Sequence, residues 1–178
     1  WLAANKPEKL DRASRAERLV RVGYLKRLAG ELKLPAVCEW IDNFLDGGSE
    51  KLVTFGVHKK VIQTLRERYK DTCVVIDGGA SAKDRRQAVE KFQGSHSCRL
   101  FIGNIRAAGT GLTLTASSTV LFTELDWTPG VHSQAGDRCH RLTQDSHVSV
   151  YYSIGNDTIE EKLIELINAK QGVLDATL

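Results

Sequence analysis

The residues best suited to chemistry lie in one run, Gln134-Ala135-Gly136-Asp137-Arg138-Cys139-His140-Arg141-Leu142-Thr143-Gln144. On a helix, Gln134, Asp137, Arg138 and Arg141 fall at i, i+3, i+4 and i+7 and share one face. Two guanidiniums placed this way project together. Their planar fork donors match phosphate oxygens better than an ammonium does. Near the ends of sheet strands, such a face can grip a polyphosphate. Away from them the same face is simply solvated, with Asp137 paired to Arg141 for only ~0.3–0.5 kcal/mol. Spacing alone favours the solvated reading.

A second run, Asn104-Ile105-Arg106-Ala107-Ala108-Gly109-Thr110-Gly111-Leu112-Thr113-Leu114-Thr115, follows a strand-like segment. Gly109 and Gly111 allow close backbone approach, and exposed N–H groups beside them can cradle a phosphate. A plain tight turn is the alternative. Between the two runs, Glu124-Leu125-Asp126-Trp127-Thr128-Pro129-Gly130 places a Trp just before a Pro-initiated helix, where it either packs or stacks on a ligand. His58-Lys59-Lys60 opens another helix with cations, a poor match to the helix dipole. In Asp77-Gly78-Gly79-Ala80-Ser81-Ala82-Lys83-Asp84-Arg85, Ser81 can cap the helix it precedes. The free N–H groups there can equally hold a phosphate beside Lys83, while Arg85 braces the loop.

These runs need elements to position them. After two helical stretches, Arg15–Leu34 with apolar residues at Leu19, Val22, Leu25, Leu28 and Leu32, and Ala36–Leu45, the rhythm changes. Strand-like runs at Lys51–Val57, Cys73–Asp77, Arg99–Gly103, Thr119–Leu125 and Val148–Ile154 alternate with helical ones. The helical runs are His58–Tyr69, Ser81–Phe92, Val131–Arg141 and Thr158–Lys170, with a short helix inside Ile105–Leu114. The alternation predicts an α/β fold with a mostly parallel open sheet. Such sheets bind ligands at the carboxyl ends of their strands, where the runs above fall.

Composition sets outer limits. The 178 residues are 42% hydrophobic and 26% charged, with a formal charge of +3, as expected of a globular domain. No apolar run approaches the roughly 20 residues of a membrane helix, and no membrane partner is expected. The four cysteines, Cys38, Cys73, Cys98 and Cys139, form no Cys-x-x-Cys pair, which argues against zinc and against a disulfide framework. An intracellular protein is expected, nuclear in a eukaryote and cytoplasmic or nucleoid-associated in a prokaryote or virus. The start, without Met, reads as a cut into a longer protein.

Taken in order, the motifs resemble the superfamily-two helicases in their Swi/Snf form. The 134–144 run is similar to motif six, Gln-Ala-x-Asp-Arg-x-His-Arg-Ile-Gly-Gln, departing at Leu142 and Thr143. The 104–115 run is similar to motif five, and the 124–130 segment to the Asp-x-x-Trp-Asn-Pro element, with Thr128 in place of Asn. Lys33–Ile41 and the layout without insertions look most like the annealing-helicase subgroup. The resemblance implies a RecA-like three-layer sandwich at 47–178, the second lobe of a DNA-dependent ATPase, preceded by a helical lead-in or brace at 1–46. It implies that Arg138 and Arg141 act as catalytic arginines on ATP and Mg2+ held mainly by the first, N-terminal RecA-like lobe. Gln134, Asp137, Gly109 and Gly111 would lie at the nucleotide. His58, Lys59, Ser81, Lys83, Asn104, Arg106, Thr110 and Trp127 would face double-stranded or branched DNA.

A complete motor needs a P-loop, and no Gly-Lys dipeptide occurs in this chain; no Asp-Glu pair occurs either. The chain alone is therefore expected to hydrolyse no ATP. Two other readings compete: a strand-separating helicase lobe, and a non-catalytic DNA- or protein-binding domain. A Rossmann-type dinucleotide site is set aside, since no Gly-x-Gly-x-x-Gly follows the first strand.

Overall fold

A strand written Leu52-Val53-Thr54-Phe55-Gly56 has no charged side to give to water, so both its faces must be covered. In a computed structural model of the chain, which describes residues 7–108, 111–140 and 147–175, all five are buried. This strand, β1 (Leu52–Gly56), is central in a sheet with β2 (Cys73–Ile76), β3 (Leu100–Asn104), β4 (Thr119–Phe122) and β5 (Ser149–Tyr152). The order is β2-β3-β1-β4-β5, and every pairing is parallel. Seven helices are described: α1 (Pro7–Leu32), α2 (Leu34–Asp46), α3 (Lys59–Arg68), α4 (Ala82–Gly94), α5 (Ile105–Ala108), α6 (Pro129–Gly136) and α7 (Ile159–Asp175).

The two-residue period of the strands splits the core into two layers. Leu52, Leu100, Ile102 and Leu121 pack with Val37 and Ile41 of α2 and with Val61 and Leu65 of α3. On the other face Val53, Phe55, Phe101 and Phe122 pack with Phe92 of α4, Ile105 of α5 and Ala135 of α6. Phe55 stands between Phe101 and Phe122, at centroid distances of 6.3 and 5.6 Å, and each such pair adds about 0.5–1.5 kcal/mol beyond its buried area. The result is helix–sheet–helix: the parallel sheet is the one expected from the alternation, and the three layers are those the family resemblance implies.

The connections run both ways from the centre of the sheet. From β1 the chain crosses to β2 at one edge; from β4 it continues to β5 at the other. The loops after β1 and β4 therefore diverge from neighbouring strands, the place where open α/β sheets bind ligands.

Two elements differ from the pattern in the sequence. The leucine stripe that marks α1 as helical is not the face it buries: Leu19, Leu25, Leu28 and Leu32 are exposed, while Lys26, Ala29 and Gly30 are buried. The helix expected to reach Arg141 stops at Gly136. Gly136 is a weak helix former. The Arg138 carbonyl is drawn away to accept a 2.8 Å bond from the Leu114 N–H, and Cys139 turns into the core. Arg138 therefore sits on a terminal turn, and the shared helical face argued from spacing does not extend past Gly136.

Candidate functional site

The loops at the carboxyl edge of the sheet are laced to one another. Glu124, just past β4, is only 2% exposed. Its Oε2 accepts from the backbone N–H groups of Val57 and His58 at 2.8 and 2.9 Å, and its Oε1 lies 2.5 Å from His58 Nδ1. A buried carboxylate is costly unless its lone pairs are filled, and here three donors fill them. Asn104, at the end of β3, donates from Nδ2 to the Val57 carbonyl at 2.9 Å. Its Oδ1 accepts from Arg106 and Ala107 N–H, capping α5. Arg85 donates to the carbonyls of Ala80 and Ala107 at 3.2 and 2.6 Å, tying the β2–α4 loop to α5. The side chains of His58, Ser81 and Asn104 are thus committed to partners within the chain. Ser81 is held in a reciprocal capping box with Asp84.

The cations of this edge stay outward. Lys59 and Lys83 are exposed. The Arg106 guanidinium is 65% exposed although Nε and an Nη grip Asp126 at 2.8 and 3.1 Å. Burial pushes the Asp126 carboxyl up, but Arg106, the Thr128 N–H and Lys26 outweigh it and hold the group below the usual carboxylate range. Trp127 is 38% exposed, with the Lys26 ammonium 4.5 Å from its ring centroid.

The glycine-rich and arginine-bearing runs meet on the other side of this arrangement. Gly111 has φ +72, a left-handed conformation that glycine adopts without strain. Three residues on, Leu114 is bonded to the Arg138 carbonyl. Gln134 and Asp137 are exposed and Arg138 half-buried. Arg138 Nε donates to the Gln134 carbonyl at 2.9 Å. Among the described residues nothing else takes its remaining donors. Gly109, Thr110 and Arg141 lie outside the described residues.

The model of the helicase conserved C-terminal domain matches residues 33–143, more than half of the chain. The chain belongs to that family. This helicase C-terminal domain is 39% identical over 147 residues to the SWI/SNF-related matrix-associated actin-dependent regulator of chromatin subfamily A-like protein 1 of Xenopus tropicalis, covering 81% of this chain and 16% of that protein. It is 38% identical over 149 residues to the human DNA annealing helicase and endonuclease ZRANB3, covering 82% of this chain and 14% of that protein. In three dimensions it is similar to the crystal structure of the C-terminal part of the Fun30 ATPase domain. The TM-score is 0.69 at 25% identity, covering 76% of this chain and 45% of that one. The chain thus spans about one-sixth of the curated relatives it matches, and its likeness to them supports the Swi/Snf type of helicase domain.

Several residues of this helicase domain escape a reading from sequence. Lys26 is 5% exposed; burial lowers its pKa, offset by Asp126, Glu124 and Glu160. Lys33 is likewise lowered by burial, offset by Glu160, with which it forms a buried ion pair at 2.6 Å; it also donates to the Ser153 carbonyl. Position in a helical wheel hides both lysines, since the leucines beside them mark the opposite side. The available signal was an acid, Glu124, inside the apolar stretch that closes β4. The four cysteines are free and buried, and burial pushes the Cys139 thiol up to about 12, so it stays protonated. Among the described residues no group of three or more His, Cys, Asp or Glu is placed to hold a metal, and no helix is long and apolar enough to cross a membrane.

Proposed function

We propose that this chain is the C-terminal motor lobe of an ATP-dependent translocase on double-stranded DNA, of the remodelling or annealing type. The observation that carries the reading is Arg138: among the described residues its guanidinium has only the Gln134 carbonyl as partner, and its own carbonyl accepts from the Leu114 N–H, three residues past Gly111. ATP and Mg2+ are held mainly by the N-terminal RecA-like lobe, to which this chain contributes no P-loop. Arg138 and Arg141 reach the polyphosphate across the cleft and neutralise charge as it develops. Gln134, Asp137, Gly109 and Gly111 border the nucleotide.

The carboxyl edge faces DNA in this reading. Lys59, Lys83 and Arg106 supply charge to phosphates, and Trp127 and Thr110 supply contact. His58, Ser81 and Asn104 shape the loops whose backbone meets the strand. Such an interface positions on the backbone and does not read sequence, so its affinity falls steeply with salt. Support for DNA as the partner comes from relatives whose names describe a DNA annealing helicase and a chromatin-remodeling ATPase.

The test is made in the full-length protein. Arg138→Ala or Arg141→Ala is expected to lower DNA-stimulated ATP turnover by roughly 10³-fold or more while DNA affinity stays nearly intact. Parallel loss of turnover and DNA binding would assign the arginines to DNA or to the fold.

A further inference from the structure

We infer that α1 positions the DNA-facing edge of this lobe, with Lys26 acting on Trp127 and Gly30 on Glu124. The inference rests on the DNA-facing reading of that edge proposed above.

Hydrophobic burial does not explain how α1 is oriented. A helix placed only to cover a sheet would turn Leu25, Leu28 and Leu32 inward, and all three are exposed. Instead Lys26, Ala29 and Gly30 face the domain. Lys26 lies in the field of Asp126, Glu124 and Glu160, and Lys33, the residue that follows α1, pairs with Glu160 at 2.6 Å; burial still lowers the pKa of both ammoniums, so these contacts are held at a cost. The Lys26 ammonium makes no hydrogen bond to a described residue. Its contact is the indole of Trp127, at 4.5 Å from the ring centroid and inside the range of a cation–π interaction. It therefore holds a ring that remains 38% exposed.

Gly30 carries the second link. A Cβ built there would lie 2.3 Å from Glu124 Oε1. Only glycine lets the helix axis come this close to the carboxylate. That carboxylate holds the Val57 and His58 N–H groups, which begin the helix bearing Lys59. Two residues past Glu124, Asp126 holds Arg106. One lysine and one glycine of α1 thus touch the residues that hold the loops after β1 and β4. Lys26 and Glu124 are positioning residues, acting through Trp127 and the β1–α3 loop.

The experiment uses the full-length protein and measures two quantities, the DNA concentration giving half-maximal ATP hydrolysis and the turnover at saturating DNA. Lys26→Met is expected to raise the half-saturating DNA concentration roughly fivefold with turnover at saturation unchanged. Lys26→Arg, which keeps a cation over the ring, should recover most of the loss. In a Trp127→Ala background Lys26→Met should add nothing, because a residue acting through another is not additive with it. Unchanged half-saturation in Lys26→Met, additive losses in the double variant, or equal losses in the Met and Arg variants that track a lowered Tm would each overturn the inference. If Trp127→Ala itself leaves DNA half-saturation unchanged, the DNA-facing reading of the edge falls and takes this inference with it. If Trp127→Ala weakens DNA binding and Lys26→Met does not, the inference alone falls.

Discussion

His132 sits in α6 with its ring edge-on to Phe122 at 4.8 Å and tilted against Tyr152 at 5.6 Å. Its Nε2 meets the backbone of Asp126, 3.0 Å from the N–H and 3.2 Å from the carbonyl oxygen, while Nδ1 is buried with no partner among the described residues. Either tautomer leaves Nδ1 orphaned. Burial pushes the imidazole below its usual pKa, and the nearby Lys26 ammonium pushes the same way; Asp126 opposes both. The unfolded chain takes up a proton at this residue near the ordinary value of about 6.5, and the folded protein resists it. Stability is therefore unaffected by this group above about pH 6.5, and falls as pH drops from there toward the depressed folded value. Between about pH 7.5 and about pH 5.5, His132→Leu should lose less stability than the natural protein, by up to about 1.4 kcal/mol per pH unit inside that window. Denaturant melts at the two pH values measure it, and equal losses in both proteins would remove His132 from the acid response.

Along α1, two glycines make opposite predictions. Gly23 has nothing within 4 Å of a built Cβ, so Gly23→Ala should stabilise the protein by up to ~1 kcal/mol through helix propensity and a less flexible unfolded chain. Gly30→Ala gains the same propensity but drives a methyl into Glu124, whose carboxylate is held by three donors and cannot swing away freely. A net loss of about 1–3 kcal/mol is expected there. Thermal melting of the two variants decides it, and a stabilising Gly30→Ala would show that α1 does not press on Glu124. Elements of this kind divide what a sequence reveals. The strands were legible because apolar runs covered on both faces leave no ambiguity, and α4 because Ser81 stands three residues before Asp84. The buried side of α1 was hidden, because its contacts are the Trp127 ring over Lys26 and the Glu124 carboxylate against Gly30, neither of which its leucine stripe marks. The end of α6 was hidden as well: a single bond from Leu114, distant in sequence, competes with the helix for the Arg138 carbonyl.

At the scale of the molecule, the parallel order β2-β3-β1-β4-β5 sends the chain from β1 and from β4 toward opposite edges, Glu124 ties the starts of those two connections together, and the Leu114–Arg138 bond joins the Gly111 and Arg138 turns. The alternation of strands and helices made that architecture readable, and the motifs made the family readable; the lateral bonds that bind the loops into one surface had no linear signature. The two-lobe proposal makes a prediction about the chain by itself. An arginine lowers a barrier only for a phosphate that something else has already placed, and placing it needs a phosphate-cradling loop with a lysine and acidic ligands for Mg2+. No Gly-Lys and no Asp-Glu dipeptide occurs here, and the described acidic side chains are spent on Lys33, His58 and Arg106 or stand apart from one another. The chain alone, with saturating DNA and ATP, is expected to release no phosphate above background. Mixed with the separately prepared N-terminal lobe at high concentration, it should restore DNA-stimulated turnover, and Arg138→Ala should abolish the restoration. Phosphate release by the chain alone that survives Arg138→Ala would mean that a nucleotide site lies elsewhere in this domain, and the two-lobe reading would be wrong.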